Sequence, residues 1–144
     1  MKIRQLDLVD AEYIAHRYAV ERLNFEDEPM PPFHTRDAGK LESCLEEPFK
    51  SFDGKMLHRT FVERAALLFY LVTKNHCFSN GNKRMAVTLT TVFFFINKKW
   101  LEIPAIELYN IAKQVAASAP RDKEKVQSGL IEIFKKHTIP LNQA

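Results

Sequence analysis

Apolar positions along the chain recur at helical spacing in several separate stretches. Behind Asp7, whose carboxylate suits a helix start, Val9, Tyr13, Ile14, Ala15 and Tyr18 return about every three or four positions, which predicts a first helix over 8–23. The segment 24–34 carries Pro29, Pro31 and Pro32, which remove backbone donors and break the pattern. Thr35 then predicts the cap of a second helix through about Glu46, with Leu41 and Leu45 on its apolar side. Residues 48–54 read as a short flap, with Phe49 and Phe52 around a turn that closes on Asp53-Gly54, a pair suited to a tight reversal.

Phe61, Ala65, Leu68, Phe69 and Val72 form the stripe of a third helix over 59–75. The next stretch, 82–97, is rich in β-branched and aromatic residues from Val87 to Ile96, a composition that also suits a buried strand. Its sixteen residues without a breaker exceed an ordinary strand, so a fourth helix is predicted, apolar nearly all round and hence central. Pro104 opens a fifth helix to about Ser118, with Ile106, Ile111 and Val115 on one side. Asp122 opens a sixth through Lys136, faced by Val126, Leu130, Ile133 and Phe134, and Lys135, Lys136 and His137 complement its terminal dipole. The expected fold is all-α: about six helices around a central buried one, with a short flap, in a single domain over 1–144.

Composition agrees with that picture. Of 144 residues 46% are hydrophobic, eleven of them Phe, enough for a core without staples and against disorder. Four glycines fall below the usual share of about 7%, which argues against propellers and small barrels. The net charge of +3 is too mild to require nucleic acid, and Lys98-Lys99, Lys123–Lys125 and Lys135-Lys136 read as solvated helix faces. Cys44 and Cys77 have no Cys-x-x-Cys spacing, and two free thiols fit a reducing cytoplasm. His16, His34, His58 and His137 show no metal-ligand spacing. The first residues lack a signal-peptide core, and the longest apolar run, 85–96, is shorter than the roughly 18 residues of a membrane span. The expectation is a cytoplasmic protein with no membrane partner.

The candidate chemistry lies between the third and fourth helices, in His76-Cys-Phe-Ser-Asn-Gly-Asn-Lys-Arg84. On residue types alone such a connection is more often a solvated loop than a site. If a helix starts at Asn82, however, its free N–H groups and dipole form an anion site, and Gly81 allows positive φ or close approach to a phosphate. Lys83 and Arg84 then sit in the first turn, where cations oppose the dipole; a bound oligophosphate would offset that cost. His76 carries an imidazole, the side chain suited to general-base work near neutral pH.

The nine residues resemble the signature of the Fic/Doc family, His-Pro-Phe-x-Asp/Glu-Gly/Ala-Asn-Gly/Lys-Arg, in its Doc, or death-on-curing, form with Lys at the eighth position. Arg36-Asp-Ala-Gly-Lys-Leu-Glu-Ser43 and Phe61–Ala66 resemble further family segments, so the likeness covers roughly residues 6–118. It implies an all-α fold with the motif between two central helices, and transfer from ATP or another nucleoside triphosphate to a hydroxyl of a target protein, translation factors being candidates. By position, His76 becomes the base, Phe78 an apolar anchor of the loop, and Ser79, Gly81, Asn82, Lys83 and Arg84 the nucleotide and phosphate binders. Lys83 implies phosphoryl transfer, the Gly variant AMP transfer.

Two positions depart from the signature: Cys77 replaces Pro, and Asn80 stands where the family has an acidic residue associated with Mg²⁺. Asn80 can still offer an amide oxygen to Mg²⁺, without the charge. The alternatives to a Doc-like toxin kinase are therefore an AMP transferase of the same fold and a non-catalytic module that binds nucleotide or a partner. No Ser/Thr-x-x-x-Glu-Gly/Asn restraint is present, so the resemblance implies a small antitoxin as partner. Phe49 and Phe52, on the flap, are candidates for docking a target peptide.

Overall fold

The computed structural model describes residues 2–24 and 28–144. Helix α1 combines a π-wound stretch, Asp10–His16, with an α-helical one, Arg17–Arg22. It is followed by α2 (Ala38–Glu46), α3 (Phe61–Lys74), α4 (Asn82–Ile96), α5 (Ala105–Ala117) and α6 (Lys123–His137). Two small antiparallel sheets complete the described residues: β1 (Ser51–Phe52) with β2 (Lys55–Met56), and β3 (Lys99–Leu101) with β4 (Thr138–Pro140). The all-α expectation is met, including α4 as a helix at the centre, packed against α1, α3, α5 and β3. None of the described helices is long and apolar enough to cross a membrane.

Helix α4 is buried from Arg84 through Thr90 and again at Val92, Phe93 and Phe94. Thr88 and Thr91 bond back along the helix, Thr91 donating to the Val87 carbonyl at 2.8 Å, whereas the buried Thr90 hydroxyl has no partner among the described residues. Aromatic rings tie the layers together. Phe61 of α3 stacks on Phe93 at 4.8 Å and meets Phe94 edge-on at 4.8 Å, Phe94 meets Phe134 of α6 at 6.0 Å, and Phe134 meets Phe69 at 5.6 Å. Burying each ring contributes about 1.5–3 kcal/mol.

At the start of α1, Asp7 and Asp10 exchange bonds, the Asp10 N–H donating to the Asp7 carboxylate at 2.8 Å and the Asp7 N–H to Asp10 at 3.3 Å. Of its predicted apolar positions Ala15 alone is buried. Val9 and Tyr13, each 61% exposed, and Ile14 and Tyr18 lie outside, while Ala11, Ala15 and Ala19 are fully buried against the core. Alanine lets the helix approach α4 closely, and the π-wound turn shifts the phase that an α-helical period assumes. Thr35 is likewise not the cap of α2; it ends a short 3₁₀ turn, and Asp37 caps the helix by accepting from the Lys40 N–H at 3.2 Å. Ile106 on α5 is exposed, and Leu108, Tyr109, Ala112 and Val115 form that helix's buried side.

The flap is a hairpin in which Ser51 pairs with Met56 and Phe52 with Lys55, turned by Asp53 and Gly54 at φ 53° and 75°. Beyond α4, Lys98 at φ 61° turns the chain into β3, which pairs with β4 and so joins the ends of α4 and α6. The Asn97 side chain accepts from the Arg4 N–H at 2.7 Å and donates to the Arg4 carbonyl at 3.0 Å, fixing the segment before α1 to the end of α4.

Candidate functional site

The connection between α3 and α4 is held from three directions. Phe78, almost fully buried, lies 5.8 Å from the His16 ring in a stacked arrangement and 6.1 Å from Phe33. His16 is itself placed by a 2.7 Å bond between its Nε2 and the Pro31 carbonyl. The Asn82 amide clasps the same residue, accepting from the Phe78 N–H at 3.0 Å and donating to its carbonyl at 2.9 Å. The Cys77 carbonyl accepts from the Asp37 N–H at 2.8 Å, tying the loop to the start of α2. Phe78 is thus packed beside the His16 and Phe33 rings, and the Asn82 side chain is engaged in shaping the loop.

His76 is exposed and sits at φ 50°, the left-handed region, which costs a non-glycine residue about a kcal/mol or more and is held by surrounding contacts. Ser79 is exposed as well. Gly81 precedes α4 at φ 77°, and no side chain of the described residues caps the helix there, so its start keeps the orphan N–H donors and positive dipole end of an uncapped helix. A Cβ on Gly81 would overlap the Met30 sulfur, so both conformation and space require glycine. Lys83 is half-buried and forms no hydrogen bond or ion pair with the described residues.

Arg84 is placed differently from a surface phosphate ligand. Its side chain is buried, and its guanidinium donates to the Glu28 carbonyl at 2.9 Å and to the Leu23 carbonyl at 3.5 Å. It therefore braces Leu23 and Glu28 against the start of α4. Glu28 also reaches Asn80: the amide nitrogen of Asn80 donates to the Glu28 carboxylate at 2.7 Å, and its buried Oδ1 has no hydrogen-bond partner. A carboxylate can accept only from the amide nitrogen, so Glu28 fixes which end of Asn80 presents oxygen.

Among the described residues no group of three or more His, Cys, Asp and Glu side chains could hold a metal ion alone. Mg²⁺ in nucleotide sites asks for less, one or two protein oxygens beside the phosphates. The unpartnered Asn80 Oδ1 and the neighbouring Glu28 carboxylate are hard oxygen donors of that kind. Glu28 is not evident in the sequence, because fifty-two positions separate it from Asn80.

The flap candidates part company. Phe49 is packed inward, meeting Phe93 edge-on at 6.1 Å with the Arg64 guanidinium 4.8 Å above its ring, so it supports the base of the hairpin. Phe52 is 75% exposed at the hairpin turn, where it is free to meet another molecule.

Residues 6–94 match the family model described as Fic/DOC family. No curated protein and no solved structure matches the chain.

Proposed function

The chain belongs to the Fic/DOC family, and on that premise we propose that it transfers a phosphoryl group from a nucleoside triphosphate, ATP or another, to a hydroxyl of a target protein. The supporting observation is the sharing of one loop by an exposed imidazole at His76, an uncapped helix start at Gly81 and the Lys83 ammonium. In this reading the target hydroxyl oxygen bonds to the γ-phosphorus as the bridge to the β-phosphate breaks. The nucleoside diphosphate leaves with the electron pair, and His76 takes the hydroxyl proton.

The first-turn N–H groups of α4 and Lys83 offset the phosphate charge, while Arg84, Asn82 and Phe78 position the loop that presents them. Asn80 Oδ1 and the Glu28 carboxylate are the donors that would hold Mg²⁺, which would supply charge neutralisation to the bound phosphates. Phe52 on the flap is the proposed contact for a target peptide. The physiological setting proposed is that of a cytoplasmic Doc-like toxin restrained by a small antitoxin, with a translation factor as target.

A second reading is nucleotide binding without turnover, favoured by the neutral amide at Asn80 and by the engagement of Arg84 with backbone carbonyls. AMP transfer is the other chemistry open to this fold. Incubation with candidate targets, Mg²⁺ and nucleotide labelled at either the α- or the γ-phosphate separates the three. Phosphoryl transfer leaves the γ-label alone on the target, and His76→Ala reduces its rate about 10²–10⁴-fold. Retention of the α-label instead means AMP transfer. Nucleotide binding with neither label transferred favours the second reading, under which Asn80→Asp creates metal-dependent transfer.

A further inference from the structure

Cys44 lies on α2 and Cys77 in the loop beside His76, thirty-three positions apart, yet their sulfur atoms are 3.6 Å from each other and both side chains are fully buried. We propose that these two cysteines are a site of reversible oxidation, forming an intramolecular disulfide that ties α2 to the residue between His76 and Phe78. The inference is independent of the transfer reaction proposed above.

One backbone bond already ties α2 to the loop. The Asp37 N–H donates to the Cys77 carbonyl at 2.8 Å, so the start of α2 and the loop are held together whether or not the sulfurs are joined. A disulfide is about 2.05 Å long, so the sulfurs have roughly 1.5 Å to close, a movement that side-chain rotation and small shifts can share.

The two thiols are unlike. Either sulfur can donate to the other, but Cys44 also accepts from the Asn75 amide, whose nitrogen lies 3.6 Å from its sulfur, and the donors beside Cys44 favour its thiolate. Cys77 is pushed upward, first by its bond to Cys44 and then by burial. Cys44 is therefore the attacking sulfur and Cys77 the resolving one. Asn75, whose amide meets Cys44, also lines, with Ser43 and Glu47, a cavity of about 610 Å³ between α3 and α6. Cys44 itself is fully buried, so reaction with an oxidant as small as hydrogen peroxide proceeds through local opening beside Asn75.

The chemistry balances with a hydroperoxide as the oxidant. The Cys44 thiolate attacks one peroxide oxygen, the O–O bond breaks, and hydroxide leaves and is protonated to water, giving the sulfenic acid. Cys77 sulfur then bonds to Cys44 sulfur, losing its proton as the S–O bond breaks and a second water departs. Two thiols and one peroxide become one disulfide and two waters. With the second sulfur already in contact, resolution outpaces further oxidation of Cys44.

The test is a mass measurement on the full-length reduced protein exposed to stoichiometric hydrogen peroxide, then unfolded with an alkylating agent. The expected result is a loss of about two mass units with neither cysteine alkylated, reversed by dithiothreitol. Trypsin should release residues 41–50 joined to residues 75–83. Cys44→Ser and Cys77→Ser should each abolish the cross-linked species. Two alkylated cysteines after exposure, oxidation to sulfinic acid without the cross-link, or a disulfide only between separate chains would each overturn the proposal.

Discussion

Two backbone conformations define the loop at the residue scale, His76 at φ 50° and Gly81 at φ 77°. Histidine tolerates the left-handed region better than β-branched residues do, and the anchoring of Phe78 on one side and α3 on the other holds it there. Gly81 has no such latitude, because a methyl group would meet both its own backbone and the Met30 sulfur. Gly81→Ala should lower unfolding free energy by about 1–3 kcal/mol in urea denaturation. Part of that loss comes from Met30, so combining it with Met30→Ala should cost less than the sum of the single changes. Strict additivity would show that the strain is purely conformational.

The backbone conformation of Gly81 is legible in the sequence, since a glycine just ahead of a helix start allows the positive φ that it adopts. The roles of Glu28 and Arg84 are not. Nothing in their spacing shows that a side chain on α4 donates to the carbonyls of residues 23 and 28, or that a carboxylate meets Asn80. Contacts between residues fifty or more positions apart depend on how the loop after α1 is laid over the motif, and apolar periodicity carries no information about that.

Elements show the same division. The type and span of α3, α4 and α6 follow from long apolar stripes, and in α4 length outweighs a composition that also suits a strand. The buried face of α1 departs from its pattern because the prominent residues, Val9, Tyr13, Ile14 and Tyr18, are exposed and the burial is carried by alanines, Ala11 and Ala15 in the π-wound stretch and Ala19 after it. The start of α2 moves to Asp37 because Thr35 is drawn into the preceding turn, where its hydroxyl donates to the Pro32 carbonyl at 2.6 Å. The short β3–β4 pairing has no alternating pattern to announce it. At the start of α2 the assignment is open to measurement. Asp37→Ala should cost about 1 kcal/mol by thermal or urea unfolding, since it removes the acceptor for the Lys40 N–H but leaves the backbone bond to Cys77 intact. Thr35→Ala should cost less, and the reverse order would return the cap to Thr35.

Across the whole molecule, the aromatic rings make one continuous file from Phe49 at the base of the flap through Phe93, Phe61 and Phe94 to Phe134 and Phe69. The file crosses α4, the helix whose first turn forms the candidate anion site, and links it to α3 and α6. Phe94 touches both Phe61 and Phe134, so removing its ring breaks the file at α4 and leaves Phe69 against Phe134 as the aromatic contact between α3 and α6. Phe94→Ala should cost about 3–5 kcal/mol, the transfer of the ring plus the cavity left behind. That is a large share of the roughly 5–15 kcal/mol that holds a domain of this size. If the file unites the helices into one cooperative core, the urea midpoint falls while the slope of free energy against denaturant stays the same. A reduced slope, or separate transitions for different probes, would mean that α6 unfolds apart from the helices that carry the site.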